Sequence, residues 1–159
     1  MTTATPPTPT TLGDLRASGH RYKAVKHELR DNLLRRLAEG GERFPGIVGF
    51  DDTVLPELER ALLAGHDIVL LGERGQGKTR LIRSLTHLLD EWTPAVAGCE
   101  INDHPYVPTC VACRRRLDEL GDDLPVTWRH RPERYGEKLA TPDTSVGDLI
   151  GRASCRERV

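Results

Sequence analysis

An α/β fold built around a phosphate-binding loop is predicted by three consecutive stretches of the chain. Asp67 to Leu71, DIVLL, is a short β-branched and aliphatic run bounded by Gly65 and Gly72, the pattern of a strand buried on both faces. GERGQGKT, Gly72 to Thr79, follows directly and fits G-x-x-x-x-G-K-[ST]. TRLIRSLTHLLDEW then places Leu81, Ile82, Leu85, Leu88 and Leu89 on one helical face. Strand, glycine-rich loop and helix in that order are the context a P-loop requires.

The elements before the loop follow from spacing and punctuation. Met1 to about Gly13 is Thr/Pro-rich without apolar periodicity, so residues 1–13 are expected to be a disordered tail. Residues 14–41 form a helical segment. In it Tyr22, Val25, Leu29, Leu33 and Leu37 make one apolar stripe that stops at Gly40-Gly41. In FPGIVGFDDT, Asp52 or Thr53 can cap a helix over ERALLAG, with Pro56 tolerated in its first turn. Residues 94–138 are rich in Pro, Cys and Arg and weakly periodic, and no element is assigned there.

Composition excludes more than it selects. At 159 residues the chain has the length of one domain. A formal charge of −1 gives no basis for a nucleic-acid or anionic-membrane partner. The N-terminus lacks a signal-peptide pattern, and no run approaches the ~20 apolar residues of a membrane span. A soluble cytoplasmic protein is expected. The 19 Arg against 4 Lys suggest no mechanism.

The loop carries the chemistry. Its glycines let successive amides turn toward a β-phosphate, and the following helix presents its positive end to the anion. Lys78 would reach the β/γ oxygens and the Thr79 hydroxyl would complete a Mg²⁺ shell. These two are the candidate catalytic residues. The candidate ATP-binding residues are Gly72, Glu73, Arg74, Gly75, Gln76, Gly77, Lys78, Thr79 and Arg80.

CEINDHPYVPTCVAC supplies a second constellation. Cys99, His104, Cys110 and Cys113 read as C-x4-H-x5-C-x2-C, a candidate Zn²⁺ shell that could order an irregular stretch. His130 or a ligand further on could replace His104. The other reading is a set of reduced, buried cysteines; redox catalysis lacks a thioredoxin-like surround. Arg114-Arg115-Arg116, followed by LDELGDD, reads as a locally neutralised solvated surface. His20, His27, His66 and His87 are assigned no chemistry.

The run FPGIVGFDDTVLPELERALLAGHDIVLLGERGQGKTRLIRSL resembles the start of an AAA+ module of the magnesium chelatase ATPase subunit and MoxR-like clade. YGEKLATPDTSVGDLIG looks like the segment where such proteins form their second core strand. The resemblance covers most of Ala17 to Ile150, and it sets 42–151 as the first part of an AAA+ domain with 94–138 inserted. It implies that Ile47, Val48 and Gly49 sit beside adenine, the alternative for them being a plain hydrophobic turn. It also implies a homo-oligomeric ring that hydrolyses ATP to remodel a client or co-subunit protein; composition predicts no membrane and no direct nucleic-acid partner. Sigma-54 activators resemble GESGTGKE at the loop and carry GAFTGA, neither of which occurs here.

Hydrolysis in that superfamily also uses an acidic strand end, a polar sensor and an arginine from a neighbouring subunit. The resemblance places all of these downstream of the second strand, beyond Ile150. The chain is therefore expected to be an N-terminal fragment that binds ATP without hydrolysing it efficiently. GRASCRERV resembles one translated frame of a sequencing adapter, so 152–159 is expected to be an artefact and Cys155 leaves the zinc set. The rival reading is a non-catalytic nucleotide- or zinc-binding interaction module. A kinase or GTPase is disfavoured because no N-K-x-D or lid pattern is present.

Overall fold

Leucines three and four apart, closed off by glycines, shape the first half of the chain. The computed structural model describes residues 5–137. α2, Val25–Glu39, ends at Gly40, and α3, Val54–Ala64, ends at Gly65; both glycines are left-handed, at φ 66° and 71°. The amide after each one returns to a carbonyl in the helix's last turns, Gly41 to Arg36 at 3.0 Å and His66 to Ala61 at 2.9 Å. Leu55, Leu58 and Leu62 of α3 pack with Leu33 of α2, Phe44, Leu81 and Leu88 in one core.

The apolar stripe expected on α2 is only partly the buried face. Leu33 is fully buried, whereas Tyr22, Val25 and Leu37 are exposed, and Glu28 and Asn32 are buried instead. Polar partners explain the rotation. Asn32 Nδ2 donates to the Leu88 carbonyl at 2.8 Å and to Asp90 Oδ1 at 2.9 Å. Glu28 accepts from the Asp90 amide at 2.6 Å.

The segment Asp67 to Leu71 corrects the expectation of a strand buried on both faces. It is extended, with Ile68 and Leu70 against the core, but Val69 and Leu71 are 80% and 89% exposed. Among the described residues no neighbour fills its backbone hydrogen bonds, and a strand exists only as part of a ladder. The helix after the loop is also shorter than expected. α4, Lys78–Ser84, tightens into a 3-10 turn over Leu85–Leu88. Ser84 and Thr86 hydroxyls bond back to the carbonyls of Leu81 and Arg83 at 2.7 and 2.8 Å, competing with the helical ladder.

The stretch without expected elements is ordered. β1, Trp92–Val96, pairs antiparallel with β2, Val126–His130, from Trp92 opposite His130 to Val96 opposite Val126. α5, Val111–Leu120, lies between them in sequence. Leu12, Val96, Cys113 and Leu124 form a second core. The tail expected to be disordered as far as Gly13 contributes to it. Thr10 accepts from the Val126 amide at 2.8 Å, and the Leu12 amide donates to Leu124 at 2.9 Å. Thr11 then caps the short α1, Leu12–Ala17. One buried leucine and backbone pairing to β2 anchor a segment whose composition shows no periodicity.

The architecture is thus mixed helix and strand. Most of the run expected to form the second core strand, and residues 152–159, lie outside the described residues. No helix among the described residues is long and apolar enough to cross a membrane.

Candidate functional site

The sharp turn between the extended segment and α4 depends on glycine. Gly72 has φ 150°, and a Cβ there would stand 2.2 Å from Gln76 Oε1; Gly77, at φ 74°, caps α4. Both backbone conformations are ones that L side chains rarely adopt. Lys78 folds back over the loop, donating to the Gly72 carbonyl at 2.8 Å and to the Glu73 carbonyl. Its ammonium therefore lies inside the curve of the loop's main chain.

A cleft of about 630 Å³ opens beside this loop. Ile47, Val48 and Phe50 line it together with Gly75, Gln76, Gly77, Lys78 and Arg80. That is within the usual size of small-molecule sites, about 300–1,000 Å³. The Arg80 guanidinium, from α4, reaches the Gly46 turn, 3.0 Å from where a Cβ on Gly46 would stand. Gly49, Gly72, Glu73, Arg74 and Thr79 are exposed and do not line the cleft.

A second constellation forms where β1 turns toward α5. The sulfurs of Cys99, Cys110 and Cys113 and a carboxylate oxygen of Asp103 all lie within 4.8 Å of one another. The Asp103 amide donates to Cys99 Sγ at 3.3 Å, and the Cys113 amide to Cys110 Sγ at 3.2 Å. Asp103 is 6% exposed, and its carboxylate accepts from Thr109 Oγ1 at 2.6 Å and the Cys110 amide at 2.8 Å. Burial raises the Asp103 carboxyl, but these hydrogen bonds outweigh it and hold it below its ordinary range. Burial, followed by the neighbouring Cys110 and Cys99, raises the Cys113 thiol.

His104 is not part of that group, which corrects the C-x4-H-x5-C-x2-C set. Asn102 is left-handed at φ 56°, and beyond it Asp103 is buried with the sulfurs while His104 lies against His20. His104 Nδ1 accepts from the Tyr106 amide at 3.1 Å, and its Nε2 is 3.3 Å from His20 Nε2. Burial, then His20 and Arg134, pushes its pKa down to about 4. His130 instead meets Glu91 at 3.8 Å and packs against Trp92, with ring centroids 4.9 Å apart and the planes tilted by 43°. Asp103 was missed because its only signal is its place between Cys99 and the C-x2-C pair, beside a histidine, the commoner zinc ligand.

The chain is similar to a magnesium-chelatase subunit. The Magnesium-chelatase 67 kDa subunit of Heliobacterium mobile is 35% identical over 88 residues, covering 52% of this chain and 13% of that protein. The chain thus spans about an eighth of that relative's length. The similarity agrees at the level of family with the resemblance carried by the run from Phe44 to Leu85, and it assigns no residue a role. No family model matches the chain, and no solved structure matches it.

Proposed function

We propose that the GERGQGKT loop binds the phosphates of ATP with Mg²⁺, as the first part of an AAA+ ATPase of the magnesium chelatase or MoxR-like kind. The observation that carries this reading is the placement of Lys78 inside a glycine turn that opens on a cleft. The loop suits the group: a side chain at Gly72 would collide with Gln76, so backbone there is free to approach an anion. Lys78 would exchange its two carbonyl partners for phosphate oxygens, and Thr79 would offer its hydroxyl to the metal. Ile47 and Val48 would pack on the base, since they are among the apolar residues that line the same cleft as the loop.

The bound Mg²⁺ would neutralise developing phosphate charge, and the protein's own residues would orient the nucleotide and exclude water. In a longer protein Val69 and Leu71 would be covered by neighbouring strands of an α/β sheet. A ring of such subunits, hydrolysing ATP to remodel a client protein, is the activity this reading gives the whole assembly.

Titration with a fluorescent ATP analogue, with and without Mg²⁺, tests the proposal. Binding is expected to need Mg²⁺ and to weaken about 10- to 150-fold in Lys78→Ala, the equivalent of one charged hydrogen bond of about 1.5–3 kcal/mol. Thr79→Ala should remove the Mg²⁺ dependence while leaving residual binding. Equal binding by the wild type and Lys78→Ala would overturn the assignment.

A further inference from the structure

We propose that Cys99, Asp103, Cys110 and Cys113 hold one zinc ion in a closed site that staples the second core. The observation is the convergence of three sulfurs and one carboxylate oxygen from the turn after β1 and the start of α5. A tetrahedral ion with Zn–S near 2.3 Å sets its sulfurs about 3.8 Å apart. Donors already within 4.8 Å of one another need only a small contraction to reach that spacing.

The surroundings are those of ligands rather than of spare thiols. Backbone amides point at Cys99 and Cys110 sulfurs, which stabilises thiolate charge. Thr109 and the Cys110 amide orient the Asp103 carboxylate, each taking one lone pair and leaving others for a metal. Three thiolates select zinc over magnesium or calcium, which prefer all-oxygen sites. Four protein donors leave no open position, so the ion's role is structural.

The fold gives the ion something to do. The second core has four buried residues, Leu12, Val96, Cys113 and Leu124, and one of them is itself a ligand. A core that small gains disproportionately from a metal staple. The ion would join β1, through its following turn, to α5, and α5 leads into Leu124 and β2.

Metal analysis of the reduced full-length chain, followed by cobalt titration, tests the site in the absence of nucleotide. The result is therefore independent of the ATP reading. One zinc per chain is expected, together with a thiolate-to-cobalt absorption band that saturates at one equivalent. Asp103→Asn should weaken cobalt binding by at least about tenfold and change the visible spectrum. Cys113→Ser should lose stoichiometric binding, and His104→Ala should bind as the wild type does. A reduced wild-type chain that gives no cobalt–thiolate band would overturn the site. An unchanged Asp103→Asn spectrum and affinity, or a loss in His104→Ala, would overturn the ligand set.

Discussion

Glu28 and Arg134 form a buried ion pair that, with the Asn32 and Asp90 hydrogen bonds, accounts for the polar side chains α2 turns inward. The guanidinium binds both carboxylate oxygens at 2.6 Å, with the side chains 12% and 4% exposed, and Glu28 also takes the Asp90 amide. Burying either charge alone is far costlier than burying the pair. Glu28→Ala is therefore expected to cost about 3–5 kcal/mol in urea unfolding. Replacing both residues with apolar ones of similar volume should recover most of that loss. If Glu28→Ala unfolds at the wild-type midpoint, the pair contributes little. At this scale the sequence was misleading, because a glutamate on a helix reads as a solvent residue and its partner lies 106 positions away.

Among the elements, the helices of the first half were readable because their signals are local. Glycine at the end of an apolar period predicts where α2 stops, and Gly40 adopts the left-handed turn this requires; Gly65, expected only to bound the next segment, ends α3 in the same way. Gly65→Ala should destabilise the chain by about 1 kcal/mol, since an L side chain is strained at φ 71°. An unchanged thermal midpoint would mean that the turn does not limit stability. DIVLL has the composition of a strand, yet a strand also needs neighbours, and among the described residues it has none. β1 and β2 were missed for the converse reason. WTPAV and VTWRH carry a proline, a charged arginine and two tryptophans in place of a clean alternation, and their antiparallel register binds them to each other.

Over the whole molecule, two cores divide the work. The first gathers α2, α3 and α4 beneath the glycine-rich loop, and the second joins the N-terminal segment, the β1/β2 pair and α5. Leu12 is fully buried in the second. Leu12→Ala is expected to cost about 2–5 kcal/mol, through lost burial and the cavity left behind. Trp128 would report the change, because its Nε1 donates to the Pro9 carbonyl at 2.8 Å. Wild-type stability and tryptophan emission in that variant would show that the N-terminal segment does not contribute to the core.

The sequence by itself determined the glycine-rich loop, its Lys78 and the stop of α2, because each depends on residues within one or two turns of chain. It also placed three cysteines close enough in sequence to share one point. Only the tertiary structure decided that Asp103 and not His104 faces those sulfurs, that Glu28 and Asn32 turn inward, and that Leu12 is core. Each of these depends on a partner far away in the chain or on the direction of one turn at Asn102, and spacing alone carries no information about either.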